Sequence, residues 1–212
     1  PENYQFASDA PIIPVMVIDH LDDAIPMAQA LVDGGLTTLE ITLRTDCALD
    51  AISTIAKNVK SARVGAGTVC NKDQFKAVVQ AGGEFVVSPG HSDELFAASH
   101  EYDIPLLPGA VTATGVMAVL NAGFPIIKFF PASTSGGAAA IKAFSGPFGN
   151  ARFVPTGGIG PANLGEYLAL PNVIAVGGSW VTPTNAVKQG QWDTVSQLAA
   201  DAVALANSLR AS

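Results

Sequence analysis

Three stretches decide the fold: ALVDGGLTTLEITL (residues 30–43), VVQAGGEFVVSP (78–89) and VLNAGFPIIKFF (119–130). In each, a segment of helical period ends in a small residue and glycine and runs straight into an apolar stretch rich in β-branched or aromatic residues. A glycine just past a helix can take the left-handed conformation that stops it, and the run behind it has the composition of a buried strand. The repeat therefore predicts a helix feeding a parallel strand.

Working outward, strand-like runs begin at Ile12, Thr37, Ala62, Phe85, Pro105, Pro125, Arg152 and Val173, eight in all. Amphipathic segments separate them, among them residues 21–35, 71–83 and 161–170, opened by Asp, Asn or Pro as helix starts are. Strict alternation with right-handed crossovers predicts a (β/α)8 TIM barrel over residues 1–212 as a single domain, with residues 1–10 as an extension or short helix. A doubly wound open sheet is the alternative, because pattern alone does not establish closure.

Composition narrows the partners. Hydrophobic residues make up 49% of the 212 and charged residues only 14%, which suits strands covered on both faces and excludes a disordered or coiled-coil chain. A formal net charge of −7 argues against nucleic acid or an anionic membrane as partner, leaving small anions held by local donors. The first ten residues lack the basic and apolar regions of a signal peptide, and Pro1 is expected to follow a removed methionine. With Cys47 and Cys70 as isolated thiols, the expectation is a reducing cytoplasm.

Barrel enzymes carry their reacting groups at the C-terminal ends of strands. There the sequence places Glu40 and Arg44, Thr68, Pro89 and Lys128, and, in PTGG and VGGS, Thr156, Gly157, Gly158, Gly178 and Ser179. Lys128 stands out, set between Ile127 and Phe129 while the other six lysines fall in helical or loop segments. A desolvated amine loses proton affinity and becomes a nucleophile able to form a Schiff base with a carbonyl. Glu40 lies between Leu39 and Ile41; it reads as a general acid/base or as a buried ion-pair partner, and the two readings are compatible. Arg44 suits a carboxylate, and the glycine pairs with Ser179 suit a phosphate. His20, His91 and His100 have no ligand spacing, so no metal is expected, and His91, which follows SPG, reads as a loop residue in preference to one bordering the mouth.

These residues sit in PMAQALVDGGLTTLEITLRT (26–45), VGAGTV (64–69), SPG (88–90), IPLLPG (104–109), IKFFPA (127–132), SGPF (145–148), FVPTGGI (153–159) and VGGSW (176–180). In that order and spacing the chain resembles the class I 2-keto-3-deoxy-6-phosphogluconate (KDPG) aldolases, Entner–Doudoroff pathway enzymes grouped with 4-hydroxy-2-oxoglutarate aldolase. The resemblance implies a homotrimeric barrel without metal or other cofactor, splitting a phosphorylated 2-keto-3-deoxy sugar acid into pyruvate and glyceraldehyde 3-phosphate. It makes Lys128 the Schiff-base lysine and Glu40 the acid/base. Arg44 and Thr68 would hold the pyruvate carboxylate, Pro89 and Phe130 would shape the pocket, and Gly157, Gly158, Gly178 and Ser179 would bind phosphate. Thr156 would face the hydroxylated middle of the substrate, where related phosphogalactonate enzymes tend to carry an apolar residue. The segment ASTSGGAAA (132–140) has no reading in these terms. Two other functions use the same residues: a phosphate-binding barrel isomerase without a nucleophilic lysine, and a sugar-phosphate binding protein in which Lys128 and Glu40 are only an ion pair.

Overall fold

The computed structural model describes residues 4–210; Pro1 and the first residues of the expected extension lie outside that range. Among the described residues eight parallel strands alternate with helices: β1 (Ile12–Met16), β2 (Thr38–Thr42), β3 (Arg63–Gly67), β4 (Val86–Val87), β5 (Leu106–Leu107), β6 (Ile126–Phe129), β7 (Arg152–Pro155) and β8 (Val176–Gly178). Six of them form a curled sheet in the order β5-β4-β3-β2-β1-β8, and β6 and β7 form a second, two-stranded sheet. The first strand thus pairs with both the second and the last. A doubly wound sheet, whose strand order reverses at a switch point, does not have that order.

The two sheets meet at two seams. At one, Lys128 donates its backbone N–H to Pro108 O (2.8 Å) and accepts from Ala110 N–H (3.0 Å). At the other, Phe153 N–H donates to Asn172 O (2.7 Å) and Ile174 N–H to Phe153 O (3.1 Å). Isolated parallel bridges, Gly109 with Lys128, Phe153 with Val173 and Thr156 with Gly177, are what remains of strand pairing there. β4 and β5 are shorter than their apolar runs predict, each reduced to two residues before Pro89 and Pro108. Proline has no N–H to donate to a ladder, so these strands stop early.

The helices are α1 (Gln5–Ser8), α2 (Ala24–Asp33), α3 (Ala48–Asn58), α4 (Lys72–Ala81), α5 (Asp93–Tyr102), α6 (Ala113–Asn121), α7 (Gly137–Phe144), α8 (Leu164–Leu168), α9 (Thr184–Lys188) and α10 (Trp192–Arg210). Asn71 caps α4 as its sequence predicts, its side chain accepting from Gln74 N–H, and Gly82 ends that helix at φ +88°. Two helices depart from expectation. α2 begins only after a 3₁₀ turn, Leu21–Asp23, and Asp23 makes no capping bond. α8 covers half of the predicted 161–170, because Asn163 turns its carboxamide to Gly160 N–H (2.9 Å) and Gly158 O (3.0 Å) and so secures the loop before the helix.

Side chains alternate across each strand, and both faces are buried because helices cover the outside. On β6, Phe129 faces outward against Phe144 of α7 and lies edge-on to Phe153 of β7, which turns Lys128 inward. On β3 the inward positions Gly65 and Gly67 have no side chain. A Cβ at Gly65 would lie 2.5 Å from the Phe85 ring, so that glycine makes room for an interior aromatic. Phe6 of α1 stacks on Phe85 at 4.4 Å between centroids and 10° between planes, filling the N-terminal end of the strands. Beside it Tyr4 donates its hydroxyl to Leu106 O (3.2 Å).

Burial pushes the Tyr4 hydroxyl from 10.0 up to about 12. A folded-state value above the unfolded one means that the neutral phenol contributes stability below about pH 10, lost as pH rises toward 12. Urea unfolding between pH 9 and pH 12 is expected to show a stability loss that Tyr4→Phe, which cannot ionise, reduces by up to roughly 2–3 kcal/mol. Identical pH slopes for the two proteins would contradict this assignment.

Candidate active site

Glu40 reaches inward from the middle of β2 and Lys128 from the opposing β6. Their side chains meet at 3.0 Å, Nζ to Oε1, with only 6% of the Lys128 and 3% of the Glu40 side-chain surface exposed. A pair so deeply buried carries a large desolvation cost, and loss of either partner alone leaves an uncompensated charge. Gly67 makes the contact sterically feasible: a Cβ there would stand 2.0 Å from Glu40 Oε1. The Lys128 ammonium also lies 5.3 Å from the centroid of the Phe130 ring, within cation–π range.

Phe130 links this pair to a cavity of about 490 Å³ at the C-terminal ends of the strands. Of the residues picked out from sequence, Arg44, Phe130, Thr156, Gly157, Gly158, Gly178 and Ser179 line it; Lys128, Glu40, Thr68 and Pro89 do not. Thr68 directly follows Gly67 at φ +63°, a left-handed conformation that is costly for a β-branched residue and recurs at functional sites. Pro89 O sits where a Cβ on Gly109 would fall (2.2 Å), opposite the backbone of Lys128. Neither residue lines the cavity; each is one step removed from the buried pair, Thr68 as the chain neighbour of Gly67 and Pro89 through Gly109.

Arg44 is exposed and makes no ion pair among the described residues, which leaves its guanidinium available to an incoming anion. Across the cavity, Gly157 and Gly158 take φ of +103° and +72°, conformations that residues with side chains rarely adopt. Their loop is supported from behind by Ala132 and Ser133, at the start of the stretch 132–140 that has no role in the sequence reading. Ala132 N–H donates to Thr156 O (2.8 Å) and Ser133 N–H to Gly157 O (3.1 Å), continuing the β6–β7 pairing past the strand ends. A Cβ on Gly158 would lie 2.2 Å from Ser133 Oγ, so small residues are required on both sides. Gly178 has a packing reason of its own: a Cβ there would strike the Trp180 ring at 1.8 Å. Thr156 is buried, and Gly177 leaves space for its hydroxyl, which a Cβ on Gly177 would approach to 2.3 Å.

Several lining residues escaped the sequence reading: Asp19 after β1, and Thr182, Thr184 and Lys188, where the chain beyond β8 folds back over the cavity. The signals were present in the polar residue just past the first apolar run and in Pro183 ahead of a helical segment. Among the described residues no group of three or more His, Cys, Asp or Glu is arranged to hold a metal ion. His91 is half-buried, and its Nδ1 lies 2.7 Å from Gly109 O.

Residues 5–198 match the family model for the KDPG and KHG aldolases. The chain belongs to that family. It is 49% identical over 193 residues to the KHG/KDPG aldolase of Escherichia coli K12, covering 91% of each chain. Among solved structures it superposes with a TM-score of 0.90 on KDPG aldolase from Legionella pneumophila, in which pyruvate was captured at low pH as a covalent carbinolamine intermediate; identity is 43%, covering 92% of this chain and 95% of that one. KDPG aldolase of Zymomonas mobilis ZM4 with 3-phosphoglycerate superposes at 0.83, again with 43% identity, covering 92% and 94%. Family membership and the buried amine–carboxylate pair point to the same chemistry.

Gly67→Ala is expected to displace the Glu40 carboxylate and break its 3.0 Å contact with Lys128. Turnover should fall by about 100-fold or more, as misplacement of reacting groups by an ångström does, while circular dichroism retains the native spectrum. A folded Gly67→Ala protein with wild-type kcat would show that the contact is not needed.

Proposed function

We propose that this chain is a class I aldolase that reversibly cleaves 2-keto-3-deoxy-6-phosphogluconate to pyruvate and glyceraldehyde 3-phosphate through an imine on Lys128. The observation that carries the reading is the buried Lys128–Glu40 pair at 3.0 Å, beside a cavity that holds an unpaired arginine at one side and a glycine loop at the other. The pyruvate held covalently in the Legionella enzyme and the phosphorylated three-carbon acid in the Zymomonas enzyme support it.

The reaction begins when the proton shared by the pair moves to Glu40 and the free amine of Lys128 attacks the C2 carbonyl. Glu40 returns that proton to the departing hydroxyl, and the carbinolamine loses water to give a protonated imine with Glu40 again a carboxylate. Glu40, directly or through a water, removes the proton of the C4 hydroxyl; the C3–C4 bond breaks, its electron pair moves into the imine, and the aldehyde leaves. Proton return from Glu40 to C3 of the resulting enamine, followed by hydrolysis, releases pyruvate and restores the amine. The imine serves as the electron sink, so the sequence of steps calls for no metal. Arg44 with Thr68 holds the substrate carboxylate, Pro89 and Phe130 shape the pyruvate end, and Thr156 faces the substrate hydroxyls. Gly157, Gly158, Gly178 and Ser179 bind the phosphate, whose binding energy orients a bond remote from it.

In this reading the bridges at both seams are the remnants of full pairing, and the strands close into a (β/α)8 barrel formed by residues 1–212 as one domain. The working form is a homotrimer in the cytoplasm, serving the Entner–Doudoroff pathway. Leu21, Ile25 and Met117 are exposed apolar side chains available to such an assembly, and among the described residues no helix is long and apolar enough to cross a membrane.

The test measures pyruvate release, with a chelator present, from the phosphorylated substrate and from its unphosphorylated analogue. Wild-type protein should cleave both and prefer the first. Ser179→Ala should lower kcat/KM for the phosphorylated substrate by roughly 10–100-fold, the effect of losing one hydrogen bond to a charged group, and leave the analogue within about twofold. An equal loss on both would remove the phosphate assignment, and no cleavage of either by the wild type would overturn the aldolase reading.

A further inference from the structure

His91 stands outside the cavity and touches neither Lys128 nor Glu40, yet it is tied to the backbone that carries the lysine. Gly109 is the residue paired with Lys128 across the β5–β6 seam. Its neighbours Pro108 and Ala110 make the two backbone hydrogen bonds that hold Lys128 in place on that side, at 2.8 and 3.0 Å. Gly109 is itself clamped by the loop after β4: its N–H donates to Gly90 O (2.8 Å), and its carbonyl faces His91 Nδ1 at 2.7 Å. A carbonyl oxygen can only accept, so Nδ1 carries the hydrogen and the imidazole is the donor.

The ring is held on other sides too. It stacks on Phe96 of α5 at 6.0 Å and 12°, and Phe96 stacks in turn on Phe124, just ahead of β6, at 4.9 Å and 23°. On α6, Gly115 leaves space for it, since a Cβ there would come within 3.1 Å of His91 Cε1. The imidazole therefore joins three elements around one carbonyl. That carbonyl lies at the seam where the pairing of β6 is reduced to a single bridge and its position depends most on such ties.

We propose that His91 is a positioning residue for the Schiff-base lysine: its Nδ1–H fixes the Gly109 peptide, and Gly109 with its neighbours fixes Lys128. This inference rests on the aldolase reading and goes beyond it, because His91 acts only through the backbone of another residue. An ångström of drift in the amine relative to the substrate carbonyl is enough to slow attack by about 100-fold.

Two variants separate the hydrogen bond from the ring. His91→Phe keeps an aromatic ring on Phe96 and has no donor; His91→Asn removes the ring and keeps an amide N–H donor near the place of Nδ1. Each is assayed for kcat, KM and melting temperature, and for the rate of borohydride-trapped adduct formation with pyruvate, beside Lys128→Ala. The expected result is that His91→Phe loses about tenfold or more in kcat and in trapping rate with KM within about twofold and melting temperature close to wild type. His91→Asn, though it melts lower, should keep kcat within about threefold. Wild-type kcat in His91→Phe, or a folded His91→Asn as slow as His91→Phe, would overturn the proposal; the Asn variant decides alone if the Phe variant does not fold. If Lys128→Ala still turns over substrate and forms no less adduct than wild type, the aldolase reading itself has failed. A dead Lys128→Ala beside an unaffected His91→Phe removes only the role of His91.

Discussion

A lysine and a glutamate brought together where water is nearly excluded are the constraint around which the rest of this molecule is arranged. Isolated, either ion would be prohibitively costly at such depth; together, at 3.0 Å, each compensates the other. Such a pair adds little net stability compared with well-packed apolar side chains, so its presence in the interior calls for a chemical reason. The imine chemistry proposed above supplies one: the carboxylate that pairs with the lysine nitrogen at rest would become available as acid and base once that nitrogen is bound to substrate.

Much of the architecture serves that contact. β2 and β6 present the two groups from opposite sides, and the bare inner face of β3 lets them meet: Gly67 clears the carboxylate, and Gly65 clears the Phe85 ring that fills the space nearer the N-terminal end. Phe6 stacks beneath Phe85 and keeps that end packed. At the other end the cavity stays open, with Arg44 on one side and the Gly157–Gly158 loop on the other, the latter fixed by Asn163 and backed by Ser133. Close packing on one side of the pair and open space on the other follow from where glycine and phenylalanine fall: Gly65 and Gly67 on β3, Phe85 just ahead of β4 and Phe6 on α1, against Gly157 and Gly158 past β7.

Much of this was legible in the chain. The helix-glycine-strand repeat predicts the alternation and the parallel pairing, and an ionisable residue between two apolar ones in a strand marks Glu40 and Lys128, because burial on both faces makes such residues exceptional. Less legible was whatever depends on one residue's distance from another far away in sequence. The glycines of β3 read as ordinary small strand residues; their purpose appears only when Glu40 and Phe85 occupy the space they leave. Ala132 and Ser133 look featureless because their contribution is made largely by backbone N–H groups against Thr156 and Gly157. β4 and β5 were read too long, since the apolar run continues into prolines that the ladder cannot use. Asp19 lies just past the first apolar run, and Lys188 lies on the short helix α9, which the sequence reading does not single out.

The central claim is that Lys128 is the nucleophile, and the most direct measurement is reduction with sodium borohydride in the presence of pyruvate, followed by peptide mass spectrometry. The account predicts one stable adduct, of pyruvate reduced onto the ε-amine of Lys128, absent in Lys128→Ala. Pyruvate that binds yet leaves Lys128 unmodified, or an adduct confined to another lysine, would contradict it.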